Sequence, residues 1–181
     1  MGDFVPDEGE TQIIFGLADA AMHMYTSAIK SLPDPSDTEF QHRAEVILFG
    51  LRKLQTTLTH AAARSRRTPE VIVAVSGVRQ FYDELMAVAA AAPGATLGQQ
   101  LYVARRRARL SAQETANGAG LRADLLDDLE AGEIPTAEEA VKVKELIEAL
   151  GGGHEVAHNS APHDAQPESW DESSEWNDSN D

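Results

Sequence analysis

Apolar side chains recur through the first half of the chain at alternating spacings of four and three. Phe40, Ala44, Ile47, Leu51, Leu54, Leu58 and Ala61 form the clearest row, and a row with that period lies on one face of an α-helix. Ile14, Ala18, Ala21, Tyr25, Ala28 and Leu32 repeat the pattern upstream, and Val71, Val75, Val78, Tyr82 and Leu85 repeat it downstream. The breaks between rows carry helix-stopping chemistry. "LPDPSD" holds two prolines, which cannot donate to a helical ladder, and Ser36 with Glu39 has the spacing of a capping box for the next helix. Thr68 before Pro69 predicts an N-cap followed by proline at the first helical position. Residues 1–9 are expected to be a flexible N-terminus, and residues 10–92 a bundle of three helices.

Beyond "AAPGAT", residues 91–96, the predicted elements shorten. Thr96 with Gln99, Ser111 with Glu114, and Thr136 with Glu139 each have capping-box spacing. Gly120 and Gly132 fall where helices should stop. The pattern predicts helices near 97–109, 112–118, 122–130 and 137–150, so the expected class is all-α, with a second unit over residues 96–151. Residues 152–181 have no apolar period and are rich in Ser, Asn, Asp and Glu. Such a segment cannot bury enough surface to offset its ordering entropy, and a disordered acidic tail is expected.

Composition changes this picture in three ways. Alanine and leucine dominate the apolar set, which favours helix over strand. The absence of cysteine removes disulfides and thiolate metal sites. No apolar run reaches the length of a membrane span, and the acidic start "MGDFVPDEGE" is no secretory signal, so a cytoplasmic protein with no membrane partner is expected. The formal charge is -15, but it is unevenly placed. Residues 152–181 hold 8 acidic and no basic side chains, whereas residues 97–151 hold 10 acidic and 7 basic ones. The body is only mildly acidic and leaves room for a local basic face. "ARRRAR", residues 104–109, puts Arg105, Arg106, Arg107 and Arg109 at the end of one predicted helix. The run can meet phosphates or be a solvated face with local salt bridges.

Residues 97–151 carry Leu101, Arg105, Leu110-Ser111, Ala116, Gly120-Leu121, Leu125-Leu126, Leu129-Glu130, Gly132 and Pro135 in order and without a gap. This pattern resembles the Cro/C1-type helix-turn-helix domain, the XRE family. The residues argue for the same geometry on their own. Ala116 is small where two helices would cross, Gly120 permits a sharp turn, and Leu121, Leu126 and Leu129 can seat the third helix. Arg122, Ala123, Asp124, Asp127 and Asp128 are then left near the exposed face.

The resemblance implies a DNA-binding transcriptional regulator, repressor-like, whose partner is double-stranded DNA. The helix from Arg122 would enter the major groove. Gln113, Arg122, Ala123, Asp124, Asp127 and Asp128 would lie against the DNA, with Arg105, Arg106, Arg107 and Arg109 on phosphates. Ala112 stands where many relatives carry Gln, and Asp127 and Asp128 where relatives often place neutral or basic residues. The alternative is a helix-turn-helix scaffold used as a protein-interaction module, with its acidic third helix on a protein partner. A single unit of this type gains from pairing on a two-fold site, so a homodimer is expected, with the N-terminal seam serving both the bundle and self-association.

Other candidates carry less. No phosphate loop, nucleophile elbow or helical metal motif is present, so neither an enzyme nor a cofactor is expected. His154, His158, His163 and Asp164 are loosely spaced on a segment without a scaffold, and no metal is expected there. Trp170 and Trp176 lie in the acidic tail, which could dock on the protein's own basic face and compete with DNA. Arg64, Arg66 and Arg67 are expected to be a solvated face. His23, His42 and His60 read as surface or packing residues, and Met22, Met24 and Met86 as core rather than an effector pocket.

Overall fold

The computed structural model describes residues 8–64, 69–122 and 124–151. The fold is all-α: in these residues the chain runs α1 (Glu8–Lys30), α2 (Phe40–Arg64), α3 (Pro69–Ala91), α4 (Leu97–Arg107), α5 (Ala112–Ala119), α6 (Leu125–Glu130) and α7 (Ala137–Ala149). The expected acidic tail, Thr68, Ala123, Arg66 and Arg67 lie outside the described residues.

Four boundaries differ from expectation by two residues or more. Helix α1 opens at Glu8, so the last two residues of the expected flexible N-terminus are helical. Ser36 does not cap α2. Its amide and hydroxyl both donate to Asp34 Oδ1, at 2.9 and 2.6 Å, and Asp37 Oδ1 accepts from the Glu39 amide at 2.8 Å. Aspartate closes readily on the backbone two residues on, and these two turns delay the helix to Phe40. Helix α4 stops at Arg107, two residues early. Helix α6 starts at Leu125 rather than Arg122, with no side-chain cap from Asp124.

The seam of α2 faces inward. Phe40, Ala44, Ile47, Leu51 and Leu58 are buried with Val78, Tyr82, Leu85, Met86 and Ala89 of α3. Helix α1 lies over this pair with Ala18 buried and Ile14, Tyr25, Ala28 and Leu32 packed against the core. The row singled out in sequence is therefore the interior of one bundle. Self-association would need other apolar surface, such as the exposed Ile13, Leu17 and Met24 of α1. Met86 is core and Met22 packs against it, whereas Met24 faces solvent, so the three methionines do not converge. His23, His42 and His60 are surface residues.

A second core joins α4 to α7. Leu101, Ala116, Leu125, Leu126, Leu129, Val143 and Ile147 are buried together. Burying a leucine such as Leu126 is worth about 1.5–3 kcal/mol. Two features let α4 and α6 approach closely. Gly98 sits against the Leu129 backbone, where a Cβ would run into the Leu129 carbonyl. About two turns further along α4, the Arg105 guanidinium lies over the Tyr102 ring, 4.7 Å from the centroid, and forms a pair with Glu130.

The two cores are tied by polar contacts across α2, α3, α4 and α6. Gln41 donates to the Ala89 carbonyl at 2.8 Å, and Gln99 donates to Gln41 at 3.2 Å. Tyr102 of α4 is buried in the first core, edge-on to Tyr82 with ring centres 5.4 Å apart, and its hydroxyl bonds Asp83. Arg52 of α2 donates from Nη2 to the Asp127 carbonyl at 2.7 Å.

Candidate nucleic-acid interface

Helices α4, α5 and α7 begin as their sequences dictate. At Thr96, Ser111 and Thr136 the hydroxyl accepts from the amide three residues on, while the Gln99, Glu114 or Glu139 side chain accepts from the cap amide. Both orphan donors at each start are thus satisfied. Gly120 ends α5 with φ 61°, and the Leu121 amide returns to the Ala116 carbonyl at 3.0 Å. That left-handed residue turns the chain sharply before α6. Ala116, fully buried, lies in the core that seats Leu125, Leu126 and Leu129.

The end of α4 uses the same backbone device with a different residue. The Leu110 amide reaches the Arg105 carbonyl at 2.9 Å and the Arg109 amide reaches Arg106 at 3.1 Å. This is the Schellman arrangement, whose left-handed position favours glycine. Here it is held by Arg109 at φ 59°, the only non-glycine residue with positive φ among those described. A side chain there costs roughly 1–2 kcal/mol in backbone sterics.

The four arginines of the run separate. Arg105 donates from Nε and Nη2 to Glu130 Oε1, at 3.0 and 2.6 Å, and both side chains are only 11% exposed. Burial holds the Glu130 carboxyl above its usual range despite the arginine beside it. Arg106 pairs with Asp83 at 2.5 Å, half exposed. Arg107 and Arg109 are exposed, and no ion pair to them exists among the described residues. They share an open concavity with Ser111 and Ala112 at the start of α5. In the first turn of α5, Gln113 is exposed and donates to Asn117 at 2.9 Å.

The face around α6 is acidic. Arg122, just before the helix, is enclosed by carboxylates: Asp128 at 2.5 Å, Glu139 at 2.9 Å and Asp124 at 3.0 Å. Arg122 is the main cause that pulls Glu139 down to about 2, with the Thr136 amide and hydroxyl adding to it. Asp127 is exposed, its carboxylate 3.8 Å from Arg52. Thus Arg107, Arg109 and Gln113 reach the surface at the α4–α5 corner, Arg122, Asp124 and Asp127 reach it before and on α6, Asp128 is partly covered, and Arg105 is inside. Ala123 lies outside the described residues.

The partners Asp83, Glu130 and Arg52 were not singled out in the sequence. Glu130 stood only as part of a family pattern, and no local spacing marks the other two, which arrive from α3 and α2.

Among the described residues no helix is long and apolar enough to cross a membrane. Residues 25–96 match the family model MSMEG_6518_N, an N-terminal domain; its last residue, Thr96, is the N-cap of α4. A protein of Mycolicibacterium smegmatis described as uncharacterized is 60% identical over 129 residues, covering 71% of this chain and 100% of the relative. The chain belongs to the family of that protein. No solved structure matches it.

Proposed function

We propose that the protein is a cytoplasmic DNA-binding transcriptional regulator of the Cro/C1 helix-turn-helix type, acting as a homodimer. Its phosphate contacts come from the corner between α4 and α5. The observation that carries this reading is Arg109. An exposed arginine without a carboxylate partner among the described residues holds a backbone position that favours glycine, and local strain of this kind concentrates at functional positions. Arg107 stands beside it, and the two line one open concavity with the start of α5. Arg105 belongs to the interior and Arg106 to Asp83, so the phosphate-binding set narrows to Arg107 and Arg109. Gln113 lies next to this corner and is the polar side chain best placed to accompany them.

A gel-shift series of the full chain on genomic fragments over a range of salt tests the proposal. The Arg107→Ala/Arg109→Ala double variant should lower the log-log salt slope by about two, roughly one per lost phosphate contact. Wild-type affinity and slope in that variant would sink the assignment. Light scattering tests the dimer, and a mass equal to one chain at high concentration removes it.

One observation favours the second reading, a scaffold that binds protein. Arg122 is enclosed by three carboxylates, so the entry to α6 offers a phosphate backbone net negative charge. If the wild type binds no fragment even at low salt, this acidic face is the surface to test against a basic protein partner.

A further inference from the structure

A cavity of about 360 Å³ lies where α2, α3, α4 and α6 meet, between the two cores. That volume is in the range of small-molecule sites. Its walls carry Arg52, Arg79, Arg105 and Arg106 against two carboxylates, Asp127 and Glu130. The wall is therefore net positive in a protein whose overall charge is -15.

Two buried polar atoms belong to residues of these walls and have no hydrogen-bond partner among the described residues: Arg52 Nη1 and Tyr82 Oη. Tyr82 is 4% exposed. Leaving such a group unsatisfied is costly, so each calls for a partner that the described residues do not supply. Arg79, exposed and on the same helix three residues before Tyr82, has no ion pair among the described residues. Arg52 is already anchored through Nη2 on the Asp127 carbonyl, which leaves Nη1 as a fixed donor. Arg105 and Arg106 are oriented by Glu130 and Asp83 and add positive field to the wall. Burial keeps the Tyr82 phenol neutral, so it retains a proton to donate.

The groups left open are thus two guanidinium donors and a phenol hydroxyl. Their complement is a ligand rich in acceptors and carrying negative charge. We infer that this cavity is a binding site for a small phosphate-type oxyanion, held by Arg52, Arg79 and Tyr82 at the junction of the bundle and the 97–151 unit. The inference does not depend on whether α4–α7 binds DNA. Because its walls come from both sides, a bound anion would tighten the placement of one unit on the other.

Calorimetric titration of the full chain with inorganic phosphate and pyrophosphate, at constant ionic strength, tests the site. The expected result is saturable one-to-one binding with a rise in melting temperature. Tyr82→Phe keeps the ring packing and removes only the open hydroxyl, and Arg79→Gln removes an exposed charge. Each should weaken binding about tenfold, as loss of one hydrogen bond to a charged group does. Arg107→Ala/Arg109→Ala should leave binding unchanged. Circular dichroism of each variant confirms that it is folded. The inference is overturned by no saturable binding up to about 10 mM, which is weaker than roughly -3 kcal/mol. It is also overturned if Tyr82→Phe and Arg79→Gln bind like the wild type, or if the Arg107/Arg109 variant loses the anion, because the ion then sits on exposed arginines.

Discussion

Arg105 and Arg109 stand four residues apart in one basic run, yet they belong to different regions. Arg105 lies in the buried junction, between the Tyr102 ring and Glu130. Arg109 lies at the exposed α4–α5 corner, in a left-handed conformation and without a carboxylate partner among the described residues. The end of α4 makes the difference. Arg105 is one turn after Leu101 and shares its inward face, whereas Arg109 comes after the helix has ended. A basic run is thus not a basic surface, because each guanidinium is assigned by the backbone beneath it.

The largest effect is expected from Arg105→Ala. It strands Glu130 in the interior, and breaking a buried pair costs about 3–5 kcal/mol, to be read from urea unfolding. A loss below about 1 kcal/mol, the level of a surface pair, would place Arg105 with the exposed arginines. Next comes Gly98→Ala. The added Cβ meets the Leu129 carbonyl and pushes α6 from α4, so overpacking should cost about 1–3 kcal/mol. Thermal unfolding that matches the wild type would show that the close crossing is not required.

Arg109→Gly should move the other way. Relief of the left-handed strain, less the entropy of the added glycine, stabilises the fold by about 0.5–1 kcal/mol. The same change should weaken DNA binding under the proposed function. A variant that gains stability and binds DNA as the wild type does separates the strain from any contact.

The smallest effect is local. Glu139 is lowered from 4.5 to about 2 by Arg122 and the Thr136 cap. A depressed acid contributes stability that is present above its unfolded value and lost as pH falls through the folded one. The start of α7 should therefore loosen between about pH 4.5 and 2, as followed by the Glu139 carboxyl resonance. Arg122→Gln should raise that midpoint, and an unchanged midpoint in the variant would mean that the cap alone holds the carboxylate.

Much of the fold was legible because its determinants are local. The boxes at Thr96, Ser111 and Thr136 each involve residues three apart, and a side chain reaching its own backbone needs no tertiary partner. The stops at Gly120 and Gly132 follow from φ alone, and the 3.5-residue row of α2 marks its buried side. Where two local rules competed, the reading failed. Asp34 and Asp37 took the amides that the Ser36 box would have used, and α2 began late.

The chain's pattern by itself determined an all-α molecule, the order of its helices and the apolar face of each. Only the tertiary structure decided which charges remain available. Arg105 meets Glu130 across 25 positions, Arg106 meets Asp83 across 23, and Arg52 reaches Asp127 across 75. The heptad row likewise could not say whether it served one bundle or two chains; packing of α1 and α3 against it placed it inside one. Periodicity and capping act over one or two turns of chain. Ion pairing and desolvation depend on distance in space, and that distance exists only once the two cores have closed on each other.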